Sequence, residues 1–550
     1  MSSTTPPPAD AGGPEYLDQT GGDAVGPAAE SGAGRGGRRT ALVAGGSVVG
    51  LALVGGGVWA AMSFFATGTQ PAEALPAGTL GYASIDLNPS GGQKIEAFRM
   101  IQKFPAIKKE LGGLDADDDI LAKAFEDLEE ECDLSYEDDL QPWLGYRFAV
   151  AAVDLGDDMP APVAVIQVTD AGAAEAGLEA LSGCAGEELG GWVVEGEWAI
   201  VAETEDIAQE VSDSTADGTL ADDETYQKWT DEVGEAGVMS LYASPEAGTF
   251  FAEMIGTFGS GGLLPGMSMD QPMMNPAADT GTPAVPEELT QALEDFQGMA
   301  ATLRFDDGAL EFEVAGATGT DKQMQLFATD RGDDVITTLP EDTAAALGFG
   351  FADGWVSTAL EQVASASGGE MTVEDMEAEL ETATGLTVDD VETLVGESAA
   401  ISLGSNLDAD TLFNSSDGSD VPVGAKVQGD AGAIQAVLAT IAESFGADAS
   451  VVDNDAEGGM VAIGPNPDYR GQLLKDGGLG DSDVYQNVVR ESGDANAILF
   501  VNFDAGDWLT NLADGDQEIE DNLDPLEGLG FSSWSDDDSS HAVFRLTTNN

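Results

Sequence analysis

The chain has 550 residues, 42% of them hydrophobic, and carries 102 Asp and Glu against 19 Lys and Arg, for a formal charge of −83. That length and apolar content can furnish two or three cored domains, so a wholly disordered chain is excluded. So much negative charge repels phosphate backbones and anionic lipid headgroups, and nucleic acid is excluded as a general partner.

Residues 1–40 are rich in Pro, Gly, Ala and acids, with almost no bulky apolar side chains, and read as a disordered cytoplasmic tail. Ala41 to Ala66 then runs without a charge, directly behind Arg35, Arg38 and Arg39. As a helix the run would reach about 39 Å, enough to cross a bilayer. It reads as a transmembrane helix that keeps the N-terminus cytoplasmic and places the C-terminal region outside the plasma membrane, because basic residues stay inside. A short linker, 67–74, follows.

The region beyond repeats itself. Leu75-Pro76 recurs at Leu339-Pro340, Val163 to Leu181 corresponds to Val423 to Ile441, and Tyr226-Gln227 with Gly234 corresponds to Tyr485-Gln486 with Gly493. Ordered matches at a nearly constant offset predict two related units, 75–320 and 339–550, joined by a connector, 321–338. Within the first unit, Arg147 to Val153 and Pro162 to Val168 have strand length, and Ala171 to Leu181 has helical composition with Asp170 as N-cap. Gly191 to Ala202 predicts two strands around Glu195-Gly196, and Ala300 to Ala315 predicts a hairpin about Asp306-Asp307-Gly308. Hairpin-linked strands with interspersed helices define an α+β class: mainly antiparallel sheets packed with helices, duplicated into two lobes. Gly256 to Pro286, rich in Gly, Pro and Met, has no counterpart in the second unit and reads as an irregular loop.

Leu75-Pro76-Ala77-Gly78-Thr79, Ile85-Asp86-Leu87-Asn88-Pro89-Ser90-Gly91-Gly92-Gln93-Lys94, Lys103-Phe104-Pro105 and Pro142-Trp143-Leu144-Gly145 together resemble the signature of a bacterial membrane-anchored family, domain of unknown function 3352. The resemblance implies an N-terminal anchor and an exported body. It implies no activity, substrate or catalytic residue.

Reaction chemistry is sparse. The single histidine, His541, lies in an alternating run that puts it on one strand face with Arg545 and places Ala542, Phe544 and Leu546 on the other; the charged face is expected to meet solvent. Asp115, Asp117, Asp119 and Glu126 have the spacing of a calcium loop, but Ile120 replaces the glycine of its sharp turn, and an acidic helix start explains the same residues. Met267, Met269, Met273 and Met274 are soft ligands without a neighbouring His or Cys, so they read as loop residues. The turn from Asn88 to Lys94 could hold an anion at a helix start, although a capped turn accounts for it equally. Lys94, Arg99, Lys103, Lys108 and Lys109 form the one basic cluster beyond the span, and they are expected to pair with the acidic body. Cys132 and Cys184 stand where thiols can be oxidised, and spacing alone leaves open whether they bond.

No catalytic, cofactor or metal residue is therefore nominated, and no cofactor is expected. The chain reads as a membrane-anchored exported module, non-enzymatic, that binds an unidentified protein or envelope component. The alternative is an extracytoplasmic enzyme using carboxylates or a divalent metal.

Overall fold

The computed structural model describes residues 69–549 apart from 90, 111–120, 122–124, 126–133, 158, 186–189, 251–292, 318–325, 329–330, 367–370, 408–414, 416–417, 507, 510–516 and 537. The expected span 41–66, the calcium-like positions Asp115, Asp117, Asp119 and Glu126, the Met-rich loop and Cys132 all lie outside the described residues. Among the described residues no helix is long and apolar enough to cross a membrane.

In the first half, β1 (Thr79–Asp86) leads into α1 (Gly91–Ile101) and α2 (Pro105–Glu110), followed by β2 (Leu144–Val153), β3 (Ala161–Val168) and α3 (Ala171–Ala185). After these come β4 (Gly191–Glu195), β5 (Trp198–Ala202), α4 (Glu205–Ser214), α5 (Glu224–Glu232), β6 (Met239–Ala243), β7 (Met299–Asp306) and β8 (Ala309–Ala317). The second half runs through α6 (Asp333–Ile336), β9 (Thr343–Gly350), α7 (Trp355–Ala366), α8 (Val373–Thr384), α9 (Val388–Val395), β10 (Ser398–Gly404), β11 (Val423–Gln428) and α10 (Ala431–Phe445). It closes with β12 (Asn454–Glu457), β13 (Met460–Ile463), α11 (Pro467–Leu473), α12 (Asp483–Val488), β14 (Ala497–Asn502), α13 (Gln517–Leu523), β15 (Leu526–Ser535) and β16 (Ser539–Thr548).

Local sequence explains many of these elements. Asp170 Oδ1 accepts the amide of Ala173 at the start of α3, and Asp430 Oδ1 accepts those of Gly432 and Ala433 at the start of α10. Each Asp satisfies amides that the first helical turn leaves unpaired. The β7–β8 turn places Asp307 at φ 50° and Gly308 at φ 80°, the left-handed pair that a two-residue hairpin requires.

The described strands form one antiparallel sheet in the order β12-β13-β11-β10-β9-β14-β15-β16-β8-β7-β6-β1-β2-β3-β5-β4. The order is a palindrome: each strand of one half has its counterpart at the same distance from the centre in the other. An approximate two-fold axis therefore passes between β8 and β16. The two halves share this one sheet, since β8 pairs with β16 along its length, from Ala309 opposite Thr547 to Ala317 opposite Ser539. Backbone hydrogen bonding thus runs unbroken from one half into the other.

Alternation along the strands separates two faces. On the first, Tyr82, Val165, Ile200, Tyr242 and Ala300 pack with Val211, Leu220 and Trp229, and in the other half Ala346, Ala400, Ile498 and Phe500 pack with Ile336, Tyr469, Tyr485 and Val488. The second face is covered toward both ends. Phe148, Ile166 and Ala199 lie under Trp143, Ala174 and Leu178, whereas Ala399, Val427 and Val461 lie under Ile434 and Leu438.

Candidate functional site

The two faces of the central strands differ in kind. On the first face, the junction of the halves is ionic. Arg545, 2% exposed, pairs with Glu311 and lies 3.3 Å from Asp306 Oδ2, while its Nε donates to the Asn487 carbonyl at 3.0 Å. Arg490 meets Asp306 at 2.8 Å and Glu311 at 3.3 Å, and Arg304 pairs with both Glu311 and Glu313. His541 Nε2 is 3.5 Å from Glu232, and its Nδ1 is 3.9 Å from Glu313. Its ring stacks on Trp534 with an interplanar angle of 2°. In these pairs the second half supplies Arg490, His541 and Arg545, and the first half supplies the acids that cross to them. Three of the chain's 19 Lys and Arg and its only histidine are thus spent on one junction.

This arrangement corrects the reading of β16. His541 and Arg545 do share a face, but that face is buried beneath α5 and α12, and Phe544 on the opposite face is 43% exposed. Glu313 beside Nδ1 raises the imidazole pKa above its ordinary value, against the opposing effect of burial; Glu232 and Asp536 add to the rise.

On the second face, the cross-strand partners form an apolar row that runs across the strands. Ile401 faces Leu347, which faces Leu499; then follow Phe531, Phe544, Phe312, Leu303 and Met239. The row continues to Ile85 and Phe148, where it enters the covered region beside α3. Ile401 is 53% exposed and Phe544 43%, and the residues between Ile401 and Met239 are otherwise half-buried. From Ile401 to Met239 the row spans eight strands, about 34 Å at ~4.8 Å per strand. Beside it, Phe503 and Trp508 cover Val501 and Leu403, so the strip has a wall on that side.

The other sequence-nominated residues do not converge on either place. Lys94 is buried and turned onto Asn88 Oδ1, and burial lowers its pKa to about 8. The ammonium is thus engaged within the turn proposed for an anion. Lys103 donates to Thr548 Oγ1 at 3.0 Å and to the Asn549 carbonyl, tying α1 to the end of β16. Lys103 thus donates to neutral oxygens, and Lys94, besides donating to Asn88, stands in the field of the Asp86 carboxylate. Cys184, on α3, takes part in a disulfide, and the sequence holds one other cysteine, Cys132. Among the described residues no group of three or more His, Cys, Asp or Glu is disposed to hold a metal ion.

Neither the row nor the ionic junction was nominated from sequence. Each strand contributes one residue to the row and at most two to the junction, and the partners lie on strands up to about 240 positions away.

Residues 42–190 match a family model described as protein of unknown function (DUF3352). This stretch of the chain belongs to that family. The DUF3352 segment includes the Leu75–Thr79, Ile85–Lys94, Lys103–Pro105 and Pro142–Gly145 motifs, and within the described structure it takes in β1 through α3. No curated protein and no solved structure matches the chain.

Proposed function

We propose that this protein is a non-enzymatic binding module, tethered to the plasma membrane by residues 41–66 with its body outside, that holds a protein or envelope component on the open apolar strip of its sheet. The observation that carries the reading is the unbroken row from Ile401 to Met239, in which Ile401 and Phe544 are exposed and the other six residues half-buried, beside α1 packed on β7. Apolar side chains aligned at strand spacing and left accessible mark a surface that gains free energy when a partner removes water from it. The membrane and compartment part of the proposal rests on the uncharged run and its arginine flank.

The test is fluorescence titration of the purified full-length chain with Nile red, a neutral apolar probe. Saturable binding that falls at least tenfold in Phe544→Asp, with the far-UV spectrum and melting unchanged, is the expected result. Binding indifferent to Phe544→Asp and to Ile401→Asp would remove the strip as the site.

A further inference from the structure

We infer that a short tether holds one end of the first half against the bilayer, so that the β4–β5 turn faces the headgroups and the β2–β3 turn faces away; this rests on the membrane-tether part of the proposal above. The chain is fixed from Thr69 onward. Arg147, 4% exposed, donates from Nη1 to the Thr69 carbonyl at 2.7 Å and from Nε to Asp86 Oδ2 at 2.9 Å, and Thr69 Oγ1 donates to Glu197 Oε2 at 2.8 Å. The residues that follow are anchored as well. Pro71–Ala74 form a short 3-10 helix in which Ala72 is fully buried, and the carbonyl of buried Leu75 accepts the Leu220 amide at 2.8 Å. Between Thr69 and Ala66, the last residue of the uncharged run, stand only Thr67 and Gly68. Three Cα steps of 3.8 Å reach about 11 Å at most, so Thr69 is confined to that distance from the end of the run.

Strand register shows which end this is. Asp86 faces Arg147, Phe148 faces Ile166 and Gln167 faces Trp198, so Thr69 lies where β1 and β3 finish and β2 and β5 begin, beside the β4–β5 turn. From there the chain passes under the first face, through Ala72 and Leu75 in the core, to Thr79, which faces Val153 at the opposite end. The eight residues of β3 separate the two ends by about 27 Å at ~3.4 Å per residue. Charge opposes the alternative in which the body lies along the bilayer. Repulsion between a chain of net charge −83 and anionic headgroups acts over about 8–10 Å, so a body that touches only at its tethered end keeps most of its acids beyond that range. The β2–β3 turn, with exposed Asp157 and Met159, is thereby presented away from the membrane.

The test places the full-length chain in nanodiscs of phosphatidylcholine and phosphatidylglycerol. Cys184 is held in a disulfide and the chain has one other cysteine, Cys132, so an added cysteine labelled without reductant is the reactive thiol. An environment-sensitive fluorophore is attached at Glu195→Cys or at Asp157→Cys, both exposed positions, and quenched by lipids that carry a nitroxide on the headgroup; Glu73→Cys and Met159→Cys repeat the comparison as a second pair. Quenching at Glu195→Cys is expected to exceed that at Asp157→Cys by about threefold or more, given the ~27 Å between the ends. Inserting about 20 Gly/Ser residues between Gly68 and Thr69, a flexible span of roughly 25 Å, is expected to erase the difference. Equal quenching in both pairs, or a difference that survives the insertion, would overturn the orientation and leave the tether standing. Failure of the chain to enter nanodiscs, or entry unchanged on deleting residues 41–66, would remove the tether itself, so the two failures are told apart.

Discussion

His541 offers a direct probe of the ionic junction because it is the only histidine in the chain. Replacing it by Gln keeps a polar side chain of similar reach but removes the charge that protonation supplies. In the folded protein the protonated ring faces Glu313 and Glu232, with Asp536 nearby and Ser539 Oγ 3.2 Å from Nε2. These groups raise its pKa, so the folded state holds the proton more tightly than the unfolded chain does. Stability from this source is complete below the unfolded value of about 6.5 and is lost as pH climbs through the raised folded value. The carboxylates stand 3.5 and 3.9 Å from the ring nitrogens, ion-pair rather than hydrogen-bond distances, so the protonated ring contributes about 1 kcal/mol. Urea unfolding of the wild type and of His541→Gln should therefore differ by an amount of that order at pH 5.5 and converge at alkaline pH. The imidazole gives a single NMR resonance, and its titration should centre above the ordinary value. A stability difference that does not change with pH, or a midpoint at or below 6.5, would refute the assignment of His541 as a protonated bridge between the halves.

Glu311, 3% exposed, faces Arg304, Arg490 and Arg545; Glu311→Gln should cost about 3–5 kcal/mol by leaving buried guanidinium charge uncompensated, whereas Asp353→Asn, at the exposed pair with Arg331, should cost about 0–1 kcal/mol in the same urea assay. Gly530 lies where an added Cβ would collide with the Val488 carbonyl at the end of α12, so Gly530→Ala should destabilise by about 1–3 kcal/mol or more, while Gly92→Ala, which meets open space, should be close to neutral by thermal melting.

What the sequence determined by itself is local. The caps at Asp170 and Asp430, the left-handed turn at Asp307-Gly308 and the alternation that puts His541 with Arg545 follow from interactions within a few residues of the chain, and the same succession of signals occurs twice. Tertiary structure alone decided which face of β16 is covered. Alternation states which residues share a side but not which side meets water, and composition favours the wrong answer, because isolated charges are costly to bury. The cost is removed by Asp306, Glu311 and Glu313, which are more than 200 positions away along the chain and reach Arg545 and His541 only when β8 pairs with β16. Once those charges are matched beneath α5 and α12, the apolar side chains of the same strands are left on the outer face. The row from Ile401 to Met239 exists for that reason: it is assembled one residue per strand by the register of a sheet that joins both halves, a property that no single stretch of the sequence contains.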